Sequence, residues 1–299
     1  MTIELKGTFL PITTPFDPVS GDVDMAAFRA NLRAWFAHPI RGVLVAGSTG
    51  EAVYLDDAEQ AALLEATRKE IPSGRLVLMG TGAESTRATI KKTKKAAEAG
   101  ADAVLVKPPA FYKAGMTHEA LARHYKAVAD ASPVPVIVYQ VPLRLSTLEF
   151  PTALVAELAQ HPNIVGMKDS RGDLAKLAEL VQACPAGFQL VAGSGSVLLG
   201  GLEIGTVGGI VAVGLYVPAE AAEVSVAFFE GRKADAGRAQ ELLTPLNAGI
   251  VGAMGVPGIK VAMDMVGLRG GSPRPPLLPT AKEKHGEIRG MLAAAGVLK

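Results

Sequence analysis

A chain of 299 residues has room for one large α/β barrel or for two ordinary domains. Its 30 basic and 29 acidic residues leave a net charge of +1, without the basic excess or basic block that nucleic acid binding would need. The single cysteine, Cys184, excludes an internal disulfide and fits a reducing, cytoplasmic setting; the five histidines never fall at zinc-ligand spacing, which disfavours a metal-dependent enzyme.

In chain order, the N-terminal stretch Met1 to Lys6 lacks the basic-then-apolar pattern of a secretion signal. Short apolar, β-rich runs then recur at Thr8 to Thr14, Val43 to Ala46, Leu76 to Thr81, Ala103 to Val106, Val136 to Tyr139, Ile164 to Lys168, Gln189 to Ala192 and Gly209 to Val213. Amphipathic helical patterns lie between them, among them Asp56 to Glu70, Ser85 to Ala99, Thr117 to Ala131, Pro151 to Gln160 and Leu174 to Cys184. Asp56 with Glu59 three residues on has the form of a capping box, and Gly100 that of a helix stop. The lysine run Lys91 to Lys95 falls in a helical stretch and reads as a solvated face. The apolar passage Val197 to Val217 has the length of a membrane span, but Glu203 and repeated glycines interrupt it, so a buried helix-turn-strand passage is expected and no membrane partner.

Eight alternating strand and helix units predict an α/β fold, a (β/α)₈ TIM barrel over residues 1–230. After Pro218 the patterns are helical only, through Phe228, Ala239 to Leu246, Pro257 to Val266 and Ala281 to Ala295, which predicts a C-terminal helical extension over 231–299. A doubly wound open sheet fits less well, because no dinucleotide fingerprint marks a switch point.

Functional groups of such a barrel gather at the C-terminal ends of its strands. Those ends carry Gly47-Ser-Thr-Gly-Glu51, Lys107, Tyr139, Lys168 and Gly193-Ser-Gly195. The first loop lacks the ending of a nucleotide P-loop, and the amides and hydroxyls of Ser48 and Thr49 suit a small carboxylate. Gly193 to Gly195 has no basic neighbour in sequence and reads as a packing turn. Lys168 closes the apolar run Ile164 to Met167, where desolvation would disfavour its ammonium form and expose a nucleophilic amine for Schiff-base formation. Tyr139 could shuttle protons beside such an imine. Lys107 also follows an apolar strand, and residue type and position do not separate it from Lys168.

These residues resemble those of the dihydrodipicolinate synthase / N-acetylneuraminate lyase superfamily, class I pyruvate aldolases on a (β/α)₈ barrel with a helical extension. Gly47 to Glu51 is similar to its carboxylate loop, Tyr139-Gln-Val-Pro142 to its catalytic tyrosine motif, and Gly166-Met-Lys168-Asp-Ser170 to its Schiff-base segment. The stretches Glu84 to Thr89, Ser132 to Pro135, His161 to Ser170 and Gly270 to Pro276 look like the 4-hydroxy-2-oxoglutarate aldolase branch. The resemblance implies that Lys168, not Lys107, forms a covalent imine with a 2-oxo acid, with no separate cofactor. Ser48 and Thr49 would hold the substrate carboxylate, and the carbonyl of Ile210 would lie against bound pyruvate. Tyr139, with Ser48 or Thr49 and a neighbour's Tyr112, would move the proton of the aldol hydroxyl. Arg144 falls where the synthase branch places the arginine that receives its aldehyde's carboxylate, and a one-residue gap lets either Phe111 or Tyr112 match the relay tyrosine. A homotetramer or homodimer is implied, with 4-hydroxy-tetrahydrodipicolinate synthase as the alternative activity.

Overall fold

The computed structural model describes residues 3–298. All eight expected strands form: β1 (Gly7–Pro11), β2 (Gly42–Val45), β3 (Leu76–Gly80), β4 (Ala103–Val106), β5 (Val136–Gln140), β6 (Ile164–Asp169), β7 (Gln189–Ala192) and β8 (Gly208–Ile210). They pair in chain order, and β1 pairs with β8 in parallel, so the sheet closes into a barrel and leaves no edge. Helices α1 (Met25–Phe36), α2 (Asp57–Glu70), α3 (Thr86–Glu98), α4 (His118–Ala131), α5 (Thr152–Leu158), α6 (Leu174–Ala183), α7 (Leu198–Ile204) and α8 (Pro218–Phe229) alternate with the strands. Their starts are set by side chains that accept from the first free amides: Asp24 for α1, Ser85 for α3, Thr117 for α4 and Asp173 for α6. Asp56 and Glu59 complete the expected capping box at α2.

Strand runs that are apolar throughout are explained by burial on both faces. One face of seven of the strands, all but β6, fills the barrel with Phe9, Leu44, Leu78, Leu105, Ile137, Val191 and Ile210. The other, through Val43, Val77, Val104, Val136 and Met167, packs under the helices.

Two strands are shorter than the sequence pattern suggests. β1 leaves the ladder after Ile12, whose amide still bonds Leu44, because the carbonyl and hydroxyl of Thr14 are satisfied by Lys260 and Gly50 instead. β8 stops at Ile210, and Ala212–Leu215 coils into a 3₁₀ turn whose last carbonyl accepts from Trp35 Nε1 at 2.9 Å. The passage from Val197 to Val217 is thus the expected buried sequence of helix, turn and strand.

Beyond α8 come α9 (Lys233–Leu246), a π-helical turn (Asn247–Gly252), α10 (Ala253–Met265) and α11 (Lys282–Ala294). The run Lys233–Met265 is long and apolar enough, by length and composition, to cross a membrane. It is not a straight rod: the π turn bends it, and Gly255 breaks the helix with φ 63° and ψ −153°. Its apolar side, including Leu243, Leu246, Ile250, Ile259 and Met263, is buried in the main core. Asn247 ties it to the loop after β7, accepting from Gly195 N at 3.1 Å and donating to Ser196 Oγ at 2.9 Å. Through Gly195 and Ser196 the loop after β7 packs against the extension, while Gly193 lines the cavity described below.

Candidate active site

Parallel pairing between β5 and β6 sets Tyr139 opposite Lys168, and both side chains enter the mouth of the barrel. Lys168 is only 4% exposed, and its amine lies 4.7 Å from the centre of the Tyr139 ring. Among the described residues it has no hydrogen-bond or ion-pair partner. The next residue, Asp169, faces the other side of the strand, where its carboxylate accepts from Arg171 Nε at 3.0 Å. An amine so desolvated and unpaired holds its proton weakly, and burial brings the pKa of Lys168 from 10.5 down to about 7. A substantial neutral fraction is then present near neutral pH, which is what attack on a ketone requires.

The phenol of Tyr139 is pushed the other way: burial raises its pKa, while the nearby hydroxyls of Ser48 and Ser170 and the charge of Arg144 oppose that rise. Ser48 Oγ stands 3.5 Å from the phenol oxygen. Ser170 Oγ is buried and has no hydrogen-bond partner among the described residues. A protonated phenol flanked by two hydroxyls is suited to exchange protons with a substrate hydroxyl.

The loop after β2 is held in a tight coil in which Gly50 N bonds Gly47 O and Glu51 N bonds Ser48 O. Two residues without the freedom of glycine, Ala46 and Glu51, take left-handed backbone angles at its ends, with φ 49° and 58°. The coil leaves the amides of Ser48 and Thr49 without an acceptor among the described residues, at the rim of the same cavity. Free amides so presented suit a carboxylate.

Together these groups line a cavity of about 610 Å³ that takes in Ser48, Thr49, Tyr139, Arg144, Lys168 and Ile210, as expected from the sequence. Lys107 lines it too, but its ammonium bonds Glu84 Oε1 at 2.8 Å. The other oxygen of Glu84 accepts from the amides of Ala110 and Phe111, both at 2.9 Å, so the pair anchors the loop after β4. Burial without a counter-ion distinguishes Lys168 from Lys107, which sequence position alone did not.

Tyr112 stands apart from the other expected residues. It and Phe111 are 76% and 80% exposed, stack edge to face, and do not line the cavity within one chain. Sequence reasoning also missed the wall that the C-terminal extension supplies, from Val251 and Met254 to Pro257 and Ile259. Its only sequence signal is the Gly255-Val-Pro257 break in an apolar helix.

The chain is similar over nearly its whole length to known proteins. The chain is 34% identical over 98% of its length to the 4-hydroxy-tetrahydrodipicolinate synthase of Thermodesulfovibrio yellowstonii, covering 99% of that protein. It is 33% identical over 95% of its length to the Emericella nidulans protein named "Probable 4-hydroxy-2-oxoglutarate aldolase, mitochondrial", covering 93% of it. The fold superimposes with a TM-score of 0.92 on the crystal structure of the dihydrodipicolinate synthase from Acinetobacter baumannii complexed with pyruvate, at 28% identity, over 98% of this chain and 99% of that one. The Dihydrodipicolinate synthetase family profile matches residues 4–295, and the chain belongs to that family of class I aldolases and lyases.

Proposed function

We propose that this protein cleaves 4-hydroxy-2-oxoglutarate to pyruvate and glyoxylate through an imine on Lys168. The observation that carries the reading is the buried, unpaired Lys168 amine, with a pKa of about 7, set beside the Tyr139 ring. The neutral amine adds to the ketone carbon C2 and water leaves, giving a protonated imine. Ser48 and Thr49 hold the C1 carboxylate, and Ile210 lies along the bound three-carbon unit. Tyr139, flanked by Ser48 and Ser170, accepts the proton of the C4 hydroxyl. The C3–C4 bond then breaks, its electrons pass to the imine, and glyoxylate departs. Protonation of the enamine at C3 and hydrolysis of the imine release pyruvate and restore Lys168.

The substrate is a dicarboxylate, and the cavity offers cationic or amide groups toward each end: Ser48 and Thr49 for one carboxylate, Arg144 for the other. Arg144 also favours a second reading, condensation of pyruvate with aspartate semialdehyde, as in the synthase relatives. We further propose a homotetramer or homodimer in which Tyr112 or Phe111 meets the site of a neighbouring copy.

Pyruvate release from 4-hydroxy-2-oxoglutarate, coupled to lactate dehydrogenase, tests the assignment. Rapid release that Arg144→Ala weakens chiefly through KM is expected. Absence of release, with condensation of pyruvate and aspartate semialdehyde, would overturn it in favour of the synthase.

A further inference from the structure

Behind the loop proposed to hold the substrate carboxylate lies an ion pair that the mechanism does not use. Lys260 on α10 and Glu51 at the end of the loop are each 1% exposed, with Lys260 Nζ 2.5 Å from Glu51 Oε1. The ammonium spends two protons on main-chain carbonyls, Thr14 O at 2.8 Å and Ser272 O at 2.7 Å. Thr14 in turn donates its hydroxyl to Gly50 O at 2.8 Å, within the loop itself. The second oxygen of Glu51 accepts from the amide of Arg274 at 2.9 Å, and the Arg274 guanidinium lies 4.2 Å over Phe16 while bonding Glu59.

Glu51 is thus gripped from two sides while its backbone sits in a left-handed conformation, with φ 58° and ψ 34°. Such a conformation persists only where surrounding contacts over-determine it. A fully buried ion pair is weak support for stability in itself, because desolvation offsets its attraction. Its placement gives it another use. Relaxation of Glu51 would uncoil the segment that turns the Ser48 and Thr49 amides toward the cavity.

We infer that Lys260, Glu51 and Arg274 form a positioning network through which the C-terminal extension holds the Ser48–Thr49 amides in register for the carboxylate of the 2-oxo acid. The inference rests on the imine reading above and deepens it. The network touches no reacting atom; it sets the affinity for one end of the substrate.

Lys260→Met removes the charge and keeps an unbranched side chain only one atom shorter. Its test compares borohydride trapping on Lys168 by pyruvate and by acetone, which replaces the carboxylate with a methyl group. The pyruvate concentration for half-maximal trapping should rise by about tenfold or more, the worth of a hydrogen bond to a charged group, while that for acetone stays unchanged. A parallel change for both ketones would mean general distortion and would overturn the inference, as would no change for either. If Lys260→Met does not fold, Glu51→Gln is measured in the same way, with the same pyruvate-selective loss expected. Absence of a pyruvate adduct in the unaltered protein would instead overturn the imine reading, and this inference with it.

Discussion

Lys168→Met removes a buried amine and leaves an unbranched side chain of similar length in its place. A fall in pKa from 10.5 to about 7 through burial corresponds to about 5 kcal/mol by which the folded state disfavours the ammonium form. The unfolded chain keeps that proton up to about pH 10.5, whereas the folded chain gives it up near 7, so the unfolded state binds more protons between those values. Stability therefore rises with pH across that window, and the cost of burying the lysine is greatest below it. The methionine variant should be more stable than the parent by about 5 kcal/mol at pH 6 and by only about 2 kcal/mol at pH 9. Urea unfolding of both proteins at those two pH values, at equal protein concentration, reads the difference directly. A gap that stays constant with pH would refute the claim that Lys168 titrates near neutrality. The same variant should lose all borohydride-trappable pyruvate, and an adduct that survives on Lys107 would refute the choice of nucleophile.

Tyr139→Phe should retain imine formation with pyruvate while turnover falls by about 10²–10⁴-fold, the usual contribution of general acid–base catalysis. Trapping and steady-state turnover measured on the same sample separate the two steps, and an undiminished turnover would remove Tyr139 from the proton path. Gly193→Ala would place a methyl 1.9 Å from Ser170 Oγ and 2.8 Å from Ser170 Cα, so the end of β6 must shift. A loss of about 1–3 kcal/mol is expected from such overpacking, read as a lower urea midpoint. An unchanged midpoint would mean that Ser170 turns aside without cost.

The barrel was legible because its signals are local and periodic. Runs such as Val77-Leu-Met79 and Val104-Leu-Val106 are apolar on both faces, and each is followed by a helix with its own cap, at Ser85 and Thr117. The placement of Ser48, Tyr139 and Lys168 follows from strand ends alone, since all parallel strands of a barrel end on one rim. What escaped depends on contacts between distant segments. Nothing near Lys107 in the chain announces that Glu84 neutralises it, and nothing near Glu51 announces Lys260. The ends of β1 and β8 were misplaced for a related reason. Thr14 and Leu215 satisfy their polar groups with Lys260 and Trp35, partners that a local apolar pattern cannot foresee. Tyr112 differs again: it stands exposed beside Phe111 and does not line the cavity of one chain.

The grip of Lys260 and Arg274 on the carboxylate loop also has a consequence for how the chain is made. Arg274 is 223 residues downstream of the Glu51 it engages, and Lys260 is 246 residues from Thr14. At synthesis rates of about 5–20 residues/s, the loop waits roughly 10–45 s for Arg274 after Glu51 has been added. The closing pair β1 and β8 is formed late for the same reason. On the positioning role inferred above, a nascent chain that already carries Ser48, Tyr139 and Lys168 completes the support of the Ser48–Thr49 loop only once Lys260 and Arg274 have been added.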